Sequence, residues 1–134
     1  EEEEGCVFTG DCLFIGGCGR FNGGATSVDF APGLGKLQAL PPATKVMPGH
    51  EYTVKNYSFA TSVEDAAANP ALAAAAAEAL AALAEGRSSV PSTIAREMET
   101  NPFMRCHVPG FQALCGCDDP VKLLQIVRIR KNEF

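Results

Sequence analysis

The sequence predicts an α+β fold, with strands confined to residues 1–57 and helices dominating residues 58–134. Three observations carry this reading. Short β-like runs broken by glycines crowd the start of the chain. A very alanine-rich stretch, Pro70 to Glu85, follows in the second half, with Asn69-Pro70 as a helix start and Gly86 as its stop. Apolar residues make up 46% of the 134 residues, so a chain of one-domain length has the material for a core.

Glu1-Glu2-Glu3-Glu4 reads as a solvated acidic loop. No methionine, signal peptide or Arg-rich transit pattern precedes it, so the chain is expected to begin inside something larger. Cys6 to Thr9 and Cys12 to Ile15 are strand-like. Gly16-Gly17-Cys18-Gly19 breaks them into a loop that Gly23-Gly24 continues. Leu34 to Leu40 suits a short helix weakened by Pro32, Gly33 and Gly35 and ended by Pro41-Pro42. Lys45 to Met47 is a further strand, stopped by Pro48-Gly49.

Asn56 to Ser62 is expected to be helical. In the Pro70–Glu85 helix, Leu72, Ala76, Leu80 and Leu83 share a face, read as a packing surface. Pro91 opens a short helical piece to about Glu99, closed by Asn101-Pro102-Phe103. Asp119-Pro120 caps a last helix, Val121 to about Lys131, with Leu123, Leu124, Ile126 and Val127 as its buried stripe. No internal repeat is evident.

The formal charge of −5 offers no basic excess for phosphates, which excludes a general nucleic-acid binder. No apolar run reaches the roughly 18 residues that span a bilayer, so no membrane partner is expected. The six cysteines, at 6, 12, 18, 106, 115 and 117, match no zinc spacing. Reduced thiols in the cytosol or an organelle matrix are the expected state.

Asp11 sits between two strand-like runs, where an aspartate serves as a turn residue, a helix cap or a metal ligand at a sheet rim. His50 follows another strand and a Pro-Gly turn. Ligands at strand ends can converge on one rim, where a carboxylate bridges two cations and an imidazole completes one of them.

Longer motifs surround both residues. Phe8-Thr9-Gly10-Asp11 is followed by Leu13-Phe14, Gly17-Cys18-Gly19-Arg20-Phe21, and Gly49-His50-Glu51-Tyr52-Thr53 with Asn56 and Phe59-Ala60. Val90-Pro91-Ser92-Thr93, Asn101-Pro102-Phe103-Met104-Arg105 and Arg128 to Phe134 come later in the same order. Together they resemble glyoxalase II, the hydroxyacylglutathione hydrolase family of the metallo-β-lactamase fold, from about Val7 to Phe134.

The resemblance implies the second half of an αββα sandwich over residues 1–57 and a helical C-terminal domain over 58–134. It implies a binuclear metal site, usually zinc with iron or manganese as variants, with Asp11 bridging and His50 on the second metal. It implies hydrolysis of S-lactoylglutathione to lactate and glutathione, with Arg20, Tyr52, Arg128 and Lys131 holding the substrate. Without the resemblance, Arg128 and Lys131 read as a solvated helix end whose cations suit the dipole.

Several family features are missing. The His-x-His-x-Asp-His motif that supplies most ligands does not occur, and His107, the other histidine, lies in the helical half. The chain is therefore expected to lack the N-terminal half of the domain and to be inactive alone. Asn22 and Gly23 stand where an aromatic and a glutamate are usual, and Cys12 replaces a common threonine, where it reads as a small buried residue. Half a sandwich is expected to expose a sheet face and an open strand edge. Two other readings follow: a non-catalytic glutathione-binding remnant, and a related one-iron sulfur dioxygenase with very similar Phe-Thr-Gly-Asp and Gly-Cys-Gly-Arg segments. The Gly-His-Glu-Tyr motif and the helical tail favour the hydrolase.

Overall fold

The computed structural model describes residues 5–134. Five short strands and six helices alternate in its first part and give way to helices in the second: β1 (Cys6–Gly10), β2 (Leu13–Phe14), β3 (Gly17–Cys18), α1 (Ser27–Gln38), β4 (Lys45–Pro48), α2 (Thr53–Val63), α3 (Pro70–Ala84), β5 (Ser92–Thr93), α4 (Ile94–Thr100), α5 (Pro109–Cys115) and α6 (Pro120–Glu133). A 3₁₀ turn, Pro102–Met104, joins α4 to the segment before α5. This is the expected α+β class. No helix among the described residues is long and apolar enough to cross a membrane.

The sheet order is β1-β4-β5. β1 and β4 run parallel, with Val7 opposite Val46, and β4 pairs antiparallel with β5. Two parallel neighbours release their chains at the same edge, so the segments after β1 and β4 meet. Gly49 N–H donates to the Gly10 carbonyl at 2.8 Å and closes that edge. β1 is an outer strand of this sheet, and Phe8 on it is 80% exposed, in keeping with the expected open face.

The expected Gly16–Gly19 loop is instead half of a hairpin. Leu13 pairs with Cys18 and Phe14 with Gly17, and Ile15-Gly16 makes the turn. Gly16 holds φ +75°, and a Cβ there would meet the Tyr57 ring at 2.8 Å. Gly17 has equally little room, with Asn56 2.7 Å from where its Cβ would stand. These glycines therefore allow close packing rather than breaking the strand.

Helix α1 starts at Ser27, seven residues before the expected Leu34, and ends at Gln38. The Asp29 carboxylate accepts from the Thr26 N–H at 2.8 Å, an N-terminal signal close to a capping box. Pro32 and two glycines lower its intrinsic propensity, but Phe30, Ala31, Leu34 and Leu37 pack into the core and offset that cost. Pro91 does not open a helix. Ser92-Thr93 adds the third strand, and the Thr93 hydroxyl caps α4 through the Arg96 N–H at 3.1 Å. Helix α5 had no sequence expectation.

In α3 the packing face is Leu72, Ala75, Ala79 and Ala82. Of the four residues expected there, only Leu72 is fully buried, and Leu80 and Leu83 are 56% and 64% exposed. Small alanines let α2 approach closely, so size rather than hydrophobicity chose the face. The last helix follows expectation: the Asp119 carboxylate caps it, and Leu123, Leu124 and Val127 are buried.

One core joins Leu13, Cys18, Leu34 and Val46 from the first 57 residues with Phe59, Ile94, Phe103, Phe111, Leu123 and Val127 from the rest. At its centre lies a polar knot. The Glu97 carboxylate, fully buried, accepts from Gly16 N–H (2.8 Å), the Ser92 hydroxyl (2.6 Å) and Asn101 Nδ2 (3.1 Å). Asn101 Nδ2 also donates to the Phe14 and Gly17 carbonyls at 3.2 and 3.0 Å, and its Oδ1 accepts from Phe103 N–H. Burial raises the Glu97 pKa, against these donors.

Asn101→Ala removes donors from two carbonyls and from a buried carboxylate. It is expected to cost about 2–4 kcal/mol of folding stability in urea titrations. A loss below about 1 kcal/mol would mean that the knot does not hold the hairpin.

Candidate functional site

Asp11 and His50 leave the same sheet edge from β1 and β4. Asp11 sits in a turn closed by Cys12 N–H donating to the Thr9 carbonyl at 2.9 Å. Thr9 Oγ1 donates in turn to the Leu13 carbonyl at 2.6 Å. His50 Nδ1 lies 2.8 Å from Asp11 Oδ1. The imidazole stacks on Tyr52, with centroids 5.2 Å apart and planes 4° from parallel, and Phe14 meets both rings edge-on. Both metal-ligand candidates are solvent-exposed side chains at the rim, as strand ends allow.

Two backbone approaches set their spacing. A Cβ on Gly19 would stand 2.0 Å from the Asp11 carbonyl oxygen, and one on Gly49 would stand 3.1 Å from Asp11 Oδ1. Glycine is required at 19 because the two loops touch.

A cavity of about 740 Å³ opens beside this pair. Asp11, Arg20, His50, Tyr52, Arg128 and Lys131, the six residues singled out in the sequence, all line it. Asn22, Lys55 and Asn56 line it as well. Four cations, Arg20, Lys55, Arg128 and Lys131, therefore face one carboxylate, Asp11, in a chain of net charge −5. Lys55 escaped the sequence reading because an exposed helical lysine carries no distinguishing signal. His107 is exposed in the loop before α5, outside this cavity.

The two basic residues of α6 differ. Arg128 is buried: Nη1 donates to the Cys18 carbonyl at 2.7 Å and to the Gly19 carbonyl at 3.4 Å, Nε donates to Asn132, and the guanidinium lies over Phe103. A solvated helix end does not describe it. Arg128 ties α6 to the β3 exit from which Arg20 projects. Lys131 Nζ donates to Asn56 Oδ1 at 2.5 Å, and Asn56 Nδ2 donates to the Ile15 carbonyl at 3.1 Å. Partial burial, with the Arg128 charge nearby, pulls the Lys131 pKa down to about 8, against a smaller opposing effect of Cys18.

The Glu51 carboxylate accepts from Ser89 N–H and from the Ser88 and Ser89 hydroxyls. These bonds, the backbone one first, lower its pKa. The 88–89 loop thereby pins the segment carrying His50 and Tyr52. Cys12, beside Asp11, is half-buried against the core, and burial raises its pKa. Cys18 is pushed up to about 12 by burial. All six thiols are unpaired.

A carboxylate and an imidazole at one rim are donors suited to zinc, iron or manganese. Among the described residues, however, no group of three or more His, Cys, Asp or Glu side chains could hold a metal ion. The donor types fit a metal, and their number falls short of a closed site.

The fold and site together define an α+β chain with a strand-end Asp–His pair beside a cationic cavity. The particular family follows from comparison. The profile described as "Hydroxyacylglutathione hydrolase C-terminus" matches residues 51–134. A "Probable hydroxyacylglutathione hydrolase" of Schistosoma mansoni is 43% identical over 132 residues, covering 98% of this chain and 54% of that protein. A "Hydroxyacylglutathione hydrolase" of Ruegeria pomeroyi is 46% identical over 130 residues, covering 96% and 50%. A "Hydroxyacylglutathione hydrolase cytoplasmic" of Arabidopsis thaliana is 41% identical over 136 residues, covering 100% and 51%. This chain belongs to the hydroxyacylglutathione hydrolase family. It spans about half the length of the curated relatives it matches.

Gly19→Ala is expected to push the Asp11 turn away from His50 and to cost about 1–3 kcal/mol. Chemical shifts of the His50 ring would report the displacement. Unchanged shifts and stability would sink the claim that the two loops set the spacing.

Proposed function

We propose that this chain forms the substrate-holding part and two metal ligands of a thioesterase that hydrolyses S-2-hydroxyacylglutathione, typified by S-lactoylglutathione, to a 2-hydroxy acid and glutathione. The observation that carries this reading is the single cavity in which four cations stand beside the Asp11–His50 pair. Glutathione conjugates bear two carboxylates, and charge-assisted hydrogen bonds from Arg and Lys suit them.

In this reading Asp11 and His50 hold the metal ions, zinc with iron or manganese as variants. A bound binuclear centre supplies Lewis acidity and a water that ionises near neutral pH. The chain's own residues then do the positioning. Tyr52 stacks on His50 and fixes its ring plane while presenting a hydroxyl to the substrate. Arg20 and Lys131 meet carboxylates of the peptide. Arg128 adds positive potential and holds the Cys18–Gly19 backbone under the substrate. Glu51 anchors the His50–Tyr52 segment to the 88–89 loop. Asn22 and Gly23 leave the mouth beside Arg20 without an aromatic wall.

Residues 1–57 are, in this proposal, the C-terminal part of the sandwich domain, and residues 58–134 the helical domain. The remaining metal ligands come from outside the described residues. The cytosol or an organelle matrix, both reducing, suits six free thiols. The set of cations with only two metal donors also favours a second reading, a module that binds glutathione without turning over a thioester.

Two measurements test the proposal. Binding of S-methylglutathione by calorimetry is expected to weaken roughly tenfold in Lys131→Met. It should also decline as pH rises through about 8, where Lys131 loses its proton. Binding that ignores both changes would remove Lys131 from the site. Thioester hydrolysis by this chain with added zinc should stay at the buffer rate, and ready turnover would overturn the assignment of the missing ligands to residues outside it.

A further inference from the structure

The cationic cavity holds more positive charge than a glutathione thioester uses. Its four cations are Arg20, Lys55, Arg128 and Lys131, and its one carboxylate, Asp11, lies against His50. Arg128 is committed to the Cys18 and Gly19 carbonyls and to Asn132. Lys131 donates to the neutral amide of Asn56. The Arg20 and Lys55 side chains have no hydrogen-bond or ion-pair partner among the described residues. Three cations therefore line the cavity without an anion. A glutathione conjugate brings two carboxylates, and also an ammonium group of its own, so at least one cation is left over.

The charges elsewhere are arranged differently. A second cavity, of about 350 Å³, lies behind the β2–β3 hairpin, and its two cations each have a carboxylate: Arg96 pairs with Glu78, and Arg87 with Glu85 at 2.6 Å. Lys55 has no such pair. It stands in the first turn of α2, where no acidic side chain accompanies it. A cation there opposes the helix dipole, so helix stability gives no reason for it. It follows Tyr52 by three residues, which puts both on one side of the helix start, and both line the cationic cavity. Tyr52 in turn stacks on His50. The unmatched lysine thus neighbours the residue that covers the imidazole, the end of the cavity where the acyl group of a thioester would lie.

We propose that Lys55 is a specificity-determining residue that receives a further carboxylate carried on the acyl side of the thioester, so that the site favours 2-hydroxyacyl groups ending in a carboxylate over neutral ones. The inference rests on the glutathione-thioester reading of this cavity and narrows its substrate class. Arg20 and Lys131 take the two peptide carboxylates, and Lys55 takes the third through a charge-assisted hydrogen bond. Lys55 is exposed, so the preference it confers is modest, about fivefold.

The test compares two ligands by calorimetry at low salt: S-carboxyethylglutathione and its uncharged isostere, S-carbamoylethylglutathione. The carboxylate ligand is expected to bind about fivefold more tightly, and added salt should shrink that ratio. Lys55→Met should bring the ratio to about one, and Lys55→Arg, which keeps the charge, should preserve it. Lys131→Met should weaken both ligands alike and leave the ratio standing. Equal binding of the two ligands by the parent chain, or an unchanged ratio in Lys55→Met, would overturn the inference and leave the glutathione reading in place. Failure of both ligands to bind would overturn that reading as well.

Discussion

The rest of the structure depends on one buried amide. Asn101 lies in the middle of the core and spends its donors on the Phe14 and Gly17 carbonyls and on Glu97. A two-residue-per-strand hairpin has too few ladder bonds to hold its own shape in water. Here its backbone is bonded from behind by residues almost ninety positions later in the chain. Glu97 completes the clamp by taking the Gly16 N–H at the turn. The front of the same hairpin supplies Phe14, Cys18 and Gly19 to the cationic cavity. The site is therefore as rigid as the helical half makes it, although none of the clamp residues reaches the cavity.

The same dependence runs through α6. Arg128 and Lys131 lie one turn apart on that helix, and each fastens a different part of the early chain: Arg128 the Cys18–Gly19 carbonyls, Lys131 the Asn56 amide that in turn holds the Ile15 carbonyl. Burying a guanidinium is tolerated because its donors find carbonyls and its face finds Phe103. The charges that would attract a substrate are thus also the ones that join the two parts of the chain. Binding and folding share these contacts, so their mutational effects must be read with both in mind.

The parts of the fold that the sequence disclosed were those governed by local rules. Asn69-Pro70 and Asp119-Pro120 announce helix starts through cap chemistry, and both hold. Where distant packing decides, local rules failed. Helix α1 forms across Pro32 and two glycines because its apolar face meets α6 and the core. Gly17-Cys18 is a strand because it pairs with Leu13-Phe14 and Asn101 holds the Gly17 carbonyl from behind, which no neighbour in sequence could reveal. The α3 face was misread because leucines were favoured over alanines, when α2 needed the smaller residues to come close. The six candidate residues that line the cationic cavity were singled out through motif order rather than periodicity. The anchoring duties of Glu51 and Arg128 escaped because they are contacts between segments.

The hairpin is also a partition. Phe14 and Cys18 face the cationic cavity, and Ile15 between them faces the second one. Along α2, Lys55 and Asn56 serve the first space and Tyr57 the second. The hairpin and α2 thus contribute to the lining of both chambers, and Gly16 and Gly17 have no room for a side chain. Substitutions can alter one chamber's lining by alternate positions while leaving the other untouched. Any drift of the wall itself must be felt on both sides at once, which gives the two spaces separate chemistry and a common mechanics.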